Sequence, residues 1–127
     1  MKGSKIVLLA VLFSACSAPK YIHEGVHEGV EIAYYWKHDK EHRTELILRM
    51  ENTSLEDKRV SLVIDLYHTG KTVETLQADT CIRVGKTLNG KLNGIYFVPE
   101  QVTAEQVRNG EIQIEMTRTF VEPLPCE

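Results

Sequence analysis

The chain has 127 residues, 43% of them hydrophobic and 26% charged, and its 15 Lys and Arg against 18 Asp and Glu give a formal net charge of −3. This length suits one domain with a single core, so we expect no second domain. The acidic balance, with no block of like charges, argues against nucleic acid as a partner.

The first fifteen residues have the pattern of an export signal. Lys2 and Lys5 precede an apolar run at 6–13, and small residues follow at 14 and 15, immediately before Cys16. A helix needs about 20 apolar residues to span a bilayer, so this run is too short to stay in the membrane. Removing residues 1–15 lowers the formal charge to −5, because both lysines are lost.

Residues 12–16, Leu-Phe-Ser-Ala-Cys, resemble the bacterial lipobox, with Phe13 at the position where Leu is commonest. The resemblance implies a signal peptide at residues 1–15 and acyl chains such as palmitate on Cys16. Each buried methylene of those chains adds about 0.8 kcal/mol to membrane binding. The implied location is the bacterial cell envelope, on the outer membrane facing the periplasm. An ordinary secretory signal with an incidental cysteine is the alternative.

Assigning Cys16 to lipid leaves Cys81 and Cys126 as a pair. The implied compartment is oxidising, so we expect these two cysteines to form a disulfide, worth about 4 kcal/mol on the chain-entropy argument. A buried free thiol at Cys81 with Cys126 in a mobile tail is the alternative. Neither cysteine is predicted to be a nucleophile.

Alternation of apolar and polar residues divides the rest of the chain into strands. Residues 16–28 are predicted to form the lipidated N-terminus and a tether, and residues 29–127 the folded domain. Thr103 to Gln106 match a capping box, and Asn109-Gly110 supplies a stop, which predicts one short helix. The strand candidates are 30–37, 45–51, 59–67, 72–77, 80–84, 88–98 and 112–116, with a bend expected at Gly90 and Gly94.

Seven short strands with frequent turns predict an all-β fold, an antiparallel immunoglobulin-like β-sandwich with one short helical turn. A barrel is the alternative. The disulfide that brackets a central Trp in antibody domains is missing, because Trp36 precedes both remaining cysteines.

Residues 44–98 resemble small envelope domains of the FxLYD type. A strand ending in Glu51-Asn52-Thr53-Ser54 is followed by a charged gap and a second strand ending in Ile64-Asp65-Leu66-Tyr67-His68. Leu66 and Tyr67 match the family's signature, while Ile64 and His68 stand for its Phe and Asp. The resemblance implies a non-catalytic binding or scaffolding module.

His23-Glu24-Gly25-Val26-His27 fits the zinc-peptidase pattern H-E-x-x-H. That chemistry needs both histidines on one helix face, with the glutamate as general base. Gly25 and Gly29 each weaken a helix by about 1 kcal/mol relative to Ala, so we expect an extended segment and no metal or other cofactor. His23 and His27 remain weak metal candidates.

No residue is predicted to be catalytic, and we expect a non-enzymatic binding or assembly module whose partner is another envelope protein. Tyr35 and Tyr67 project outward on their strands and form the predicted binding surface. An inhibitor or immunity-type lipoprotein of an envelope hydrolase is one alternative, and a small zinc-dependent hydrolase using His23, Glu24 and His27 is another. Asn52 begins a formal glycosylation sequon that we interpret as turn chemistry.

Overall fold

The computed structural model describes residues 21–38 and 43–127, so the expected signal peptide and Cys16 lie outside the described residues. Among the described residues no helix is long and apolar enough to cross a membrane. The elements in chain order are β1 (Ile22–His27), β2 (Val30–His38), β3 (Thr44–Asn52), β4 (Lys58–His68), β5 (Lys71–Ile82), β6 (Thr87–Asn89), α1 (Gly90–Asn93), β7 (Tyr96–Phe97), α2 (Ala104–Arg108) and β8 (Ile112–Pro123).

The strands form two antiparallel sheets. Sheet A has the order β1-β2-β3-β6, with β7 also paired to β3, and sheet B has the order β5-β4-β8. The chain passes from β3 to the β4–β5 hairpin, returns to sheet A for β6 and β7, and ends in sheet B. The predicted antiparallel β-sandwich is therefore confirmed, with eight described strands rather than seven.

Alternating side chains of the two central strands fill the core between the sheets. On β4 the inward residues Val60, Leu62, Ile64 and Leu66 are buried, while Ser61 between them is half-buried. The inward row of β3 is equally buried, at Leu46, Leu48 and Met50. Each such aliphatic side chain contributes about 1.5–3 kcal/mol when it leaves water, so this double row is the main source of stability.

The predicted tether extends too far into the chain. Ile22–His27 forms β1, which pairs with β2 from Ile22 opposite Tyr34 to His27 opposite Val30. Val26 and Val30 favour extended backbone, and the Glu28-Gly29 turn, with both residues at positive φ, joins the two strands into a hairpin. These six residues belong to the sandwich.

Two other local predictions differ from the structure. The separate strands expected at 72–77 and 80–84 are one strand, β5, because β4 is long enough to pair along its full length. The strand expected at 88–98 is interrupted by the single helical turn α1, which Gly94 ends in the left-handed conformation. The predicted capping box is confirmed at α2, where the Gln106 backbone N–H donates to Thr103 Oγ1 over 3.1 Å.

Gly90 lets α1 lie directly on the outer face of sheet A. A Cβ atom at this position would stand 2.4 Å from Ile47 Cγ2 and 3.1 Å from the Leu48 carbonyl oxygen. Ile47 points away from the central core, yet it is 2% exposed because α1 covers it. The sequence signal of a glycine inside an apolar run therefore reflects close backbone approach.

We expect Gly90→Ala to lower the free energy of unfolding by about 1–3 kcal/mol, since the added methyl overpacks Ile47. Leu92→Ala is the matched control on the same helical turn, because Leu92 is 84% exposed, and we expect a change within about 0.5 kcal/mol. Urea unfolding of both variants measures the difference. Equal midpoints for the two variants would contradict the close approach.

The C-terminal tail lies at one end of the sandwich, beside three of the connections between strands. The strand register places the Glu28-Gly29 turn, the β3–β4 loop at residues 53–57, the β5–β6 connection at residues 83–86 and the tail at residues 124–127 together. We call this the tail end. The β4–β5 turn at Thr69-Gly70 lies at the opposite end.

Candidate functional site

A disulfide fastens the tail. Cys81, near the end of β5, is bonded to Cys126 with 5.7 Å between the two Cα atoms, which confirms the predicted pairing. The Cys81 Sγ also lies 3.6 Å from the Leu124 carbonyl oxygen, and Arg83 donates to the Glu127 carbonyl over 3.3 Å. The tail is thus held against the β5 side of sheet B after β8 ends.

Asp57 joins three segments at the tail end. Its Oδ1 accepts from the Val84 backbone N–H over 3.0 Å, and its Oδ2 accepts from the Cys126 backbone N–H over 3.0 Å. Its own backbone carbonyl accepts from the Leu124 N–H over 3.2 Å. The backbone hydrogen bonds from Cys126 and Val84 lower the pKa of this carboxyl below its ordinary value of 3.8. The side chain therefore fixes the β5–β6 connection and the tail at once.

The lowered pKa of Asp57 predicts a pH dependence with a definite sign. A carboxyl whose folded-state pKa is depressed stabilises the fold above its unfolded pKa of about 3.9, and this contribution is lost as the pH falls through the folded value. Asp57→Asn removes the titrating group. We therefore expect the stability gap between wild type and Asp57→Asn to be full near pH 7 and to shrink below about pH 4.

Denaturant unfolding of both proteins at a series of pH values measures that gap. A gap that stays constant down to about pH 2 would show that the Asp57 charge contributes nothing.

Asn52 organises the same end from inside. Its side chain is fully buried, and its Nδ2 donates to the carbonyls of Ile82 and Glu56 over 2.9 and 2.8 Å. Its Oδ1 accepts from the Ser54 backbone N–H over 3.0 Å and from the Ser54 hydroxyl over 2.6 Å. With every polar atom of the amide engaged, the interpretation of Asn52-Thr53-Ser54 as turn chemistry is confirmed.

The loop and tail that Asn52 and Asp57 position carry an exposed apolar cleft. Leu55 is 93% exposed, Val84 44% and Leu124 40%. They line a cleft of about 340 Å³ together with Pro123 and Pro125, and the acidic residues Glu56 and Asp57 border it. We call this surface the apolar cleft. A leucine held almost wholly in water costs hydrophobic free energy in the isolated chain, and neighbouring exposed apolar side chains are typical of contact sites.

The predicted surface tyrosines lie on different sheets. Tyr35 lies on the outer face of sheet A in a cross-strand row with Ile47 and Tyr96. The Tyr35 ring packs edge-on against Tyr21 with 4.8 Å between centroids. The Lys91 ammonium lies 4.4 Å from the Tyr96 ring centroid. The Tyr35 ring therefore packs on Tyr21 and the Tyr96 ring on Lys91 of α1, while Tyr96 stays 36% exposed.

Tyr67 lies on the outer face of sheet B, on the far side of the sandwich from Tyr35. Partial desolvation raises the pKa of its hydroxyl, a hydrogen bond with Thr72 opposes this rise, and a hydrogen bond with the Glu115 carboxylate adds to it. The two predicted tyrosines therefore do not form one surface.

The His-Glu-x-x-His segment forms strand β1. A register shift at Glu24 interrupts the pairing with β2 between His23 and Gly25, and His27 Nε2 lies 2.6 Å from Glu24 Oε2. Among residues 21–38 and 43–127 no cluster of three or more His, Cys, Asp or Glu side chains is arranged to hold a metal ion.

Sequence reasoning missed the apolar cleft. Leu55 stands in a polar turn between Ser54 and Glu56, and Val84 lies in the turn after β5, so neither belongs to an alternating apolar face. A lone leucine in such a turn was the available signal. The pairing of Pro123 with Lys58 brings Leu124 to this end, where its N–H donates to the Asp57 carbonyl, and the disulfide fastens the tail beyond it.

Together the fold and the tail end define an antiparallel β-sandwich with a disulfide-fastened C-terminal tail and an apolar cleft at one end. Comparison of the chain with protein-family models, with curated proteins and with solved structures gives no match.

Proposed function

We propose that this chain is a lipid-anchored protein of the bacterial cell envelope, held through Cys16 on the outer membrane and facing the periplasm. It acts as a non-enzymatic binding or assembly module. Residues 1–15 serve as the signal peptide, and the resemblance of residues 12–16 to the lipobox supports this assignment. The resemblance of residues 44–98 to FxLYD-type domains supports a binding role.

The course of β1 supports an orientation on the membrane. Cys16 precedes Tyr21 by five residues, which span at most about 18 Å when extended. From Ile22 the strand runs six residues toward the Glu28-Gly29 turn, a rise of about 20 Å. In this proposal the chain enters along the edge of sheet A, opposite the middle of β2, and leads away from the lipid, so the tail end points from the membrane into the periplasm.

The apolar cleft is the single observation that carries the binding function. Leu55, Val84 and Leu124 stay exposed on the β3–β4 loop, the β5–β6 connection and the tail, which Asn52, Asp57 and the disulfide hold in place. A preformed apolar surface loses little conformational entropy when a partner covers it. Anchoring raises the local concentration, so a partner at the same membrane can be bound with modest affinity.

Photocrosslinking in intact cells tests this proposal. A photoreactive side chain replaces Leu55 in the full-length chain, and the matched control places it at Leu92, which is 84% exposed on α1. We expect a discrete protein adduct from position 55 that Val84→Asp abolishes, and no such adduct from position 92. Equal labelling from both positions, or none from position 55, would contradict a binding role for the apolar cleft.

The composition of the adduct also separates two kinds of module. Several envelope proteins joined to position 55 would identify an assembly role. A single envelope hydrolase joined one-to-one would identify the inhibitor type instead.

A further inference from the structure

Strand β8 forms an unpaired edge of sheet B, and β1 of sheet A lies close to it near residues 119–121. Its twelve residues, Ile112–Pro123, pair with β4 along one side. No strand among residues 21–38 and 43–127 pairs with its other side. An edge strand of this length presents a row of unpaired backbone N–H and C=O groups that can pair with another strand.

Apolar surface accompanies this open edge. The inward side chains of β8 are only half-buried, whereas the inward row of β4 beside it is fully buried. Phe120, on the outer face, is 55% exposed. An added strand would complete the burial of the inward apolar residues, which are Ile112, Ile114, Met116 and Val121.

A β-bulge at Thr117 determines which residues share a face. Met116 pairs with Ile64 and Arg118 pairs with the adjacent Val63, so Thr117 is the extra residue. In a regular strand, residues three apart point to opposite faces. The bulge shifts this alternation by one, and Glu115 and Arg118 therefore both lie on the outer face of sheet B.

We infer that β8 pairs antiparallel with β8 of a second copy of this chain, around a two-fold axis that passes between Met116 and Thr117. The two copies of sheet B then form one continuous six-stranded sheet. Glu115 of each copy lies opposite Arg118 of the other, giving two ion pairs on the outer face. Ile112 lies opposite Val121 on the inner face.

The bulge and the charges together select this register. Opposite residues in an antiparallel pair must share a face. When the pairing includes residues on both sides of the bulge, a two-fold arrangement meets this condition only if residues an odd number apart lie opposite each other. If one β8 strand shifts by two residues along the other, Glu115 lies opposite Phe120. If it shifts by two residues in the other direction, Arg118 lies opposite Gln113. In neither register do Glu115 and Arg118 face each other. Neither Glu115 nor Arg118 has an ion-pair partner among the described residues.

Charge exchange tests this dimer. In the dimer, Glu115→Arg turns both ion pairs into pairs of arginines, and Arg118→Glu turns both into pairs of glutamates. The double variant restores two pairs of opposite charge. The full-length chain is studied by sedimentation equilibrium in density-matched detergent. We expect a wild-type dimer that each single variant weakens at least about tenfold and that the double variant restores to within about threefold.

Lys71→Glu changes an exposed charge on β5, at the other edge of sheet B, and should leave the dimer unchanged. A monomeric wild type at about millimolar concentration, single variants that dimerise as wild type does, or a double variant without recovery would each overturn the inference. So would an equal effect of Lys71→Glu. As a second measurement, amide hydrogen exchange on wild-type β8 should slow as protein concentration rises, and concentration-independent exchange would also overturn it.

Discussion

Replacing Cys81 and Cys126 together by serine is expected to lower the free energy of unfolding by about 4 kcal/mol. The bond closes a separation of 45 residues, and a cross-link of that length removes about this much conformational freedom from the unfolded chain. Denaturant unfolding of wild type and the double variant, both without reducing agent, measures the difference. The loss should be the same when wild type is studied with a reducing agent.

The hydrogen bond between Asp57 and the Cys126 backbone provides a control for the disulfide prediction. Cys126 also donates its backbone N–H to Asp57, a contact that the serine variant retains. The tail should therefore detach less completely after cysteine replacement than after the further change Asp57→Asn. A loss below about 1 kcal/mol in the double serine variant would show that the disulfide does not constrain the unfolded chain as argued.

Asn52→Ala is expected to lower the free energy of unfolding by about 3 kcal/mol. The variant loses four hydrogen bonds and leaves the buried carbonyl of Ile82 without the Nδ2 donor. Each buried polar group left unsatisfied costs about 1–3 kcal/mol. Urea unfolding measures the loss, and the β3–β4 loop should show faster amide exchange because Ser54 is released.

Asn89→Ala is the matched control for Asn52→Ala. Asn89 ends β6, is exposed, and makes no side-chain capping hydrogen bond to α1. We expect a change within about 0.5 kcal/mol. If Asn52→Ala is no more damaging than Asn89→Ala, the buried amide does not organise the tail end.

The regular part of the fold could be predicted from the sequence because its strands obey a period of two. The alternation at Val60, Leu62, Ile64 and Leu66 identifies β4 with its inward face. The capping box at Thr103 could also be predicted from the sequence, because both of its hydrogen bonds join residues that are close in sequence.

The irregular parts depend on contacts between residues far apart in sequence. Ile22–His27 has the polar composition expected of a tether, and its pairing with β2 makes it a strand. Ile47 looks like a residue on a solvated face, and its burial follows from the close approach of Gly90 across more than forty positions. Local propensity favours extended backbone at Val26 and Val30 but does not specify which distant residues make either contact.

The candidate site was predictable only in part. The pairing of Cys81 with Cys126 followed from counting cysteines once Cys16 was assigned to lipid. Tyr35 and Tyr67 were correctly placed on outward faces, but strand period cannot show that those faces belong to different sheets. Leu55 has no periodic neighbours, so its part in the apolar cleft appears only when the tail returns to the β3–β4 loop.

Intact-mass analysis of the protein extracted from membranes tests the lipid-anchored module most directly. We expect a chain that begins at Cys16, carries acyl chains there, and lacks the two hydrogen atoms lost on forming the Cys81–Cys126 bond. Cys16→Ala should leave residues 1–15 attached and the chain without lipid. An unacylated wild-type product that retains residues 1–15 would contradict the account.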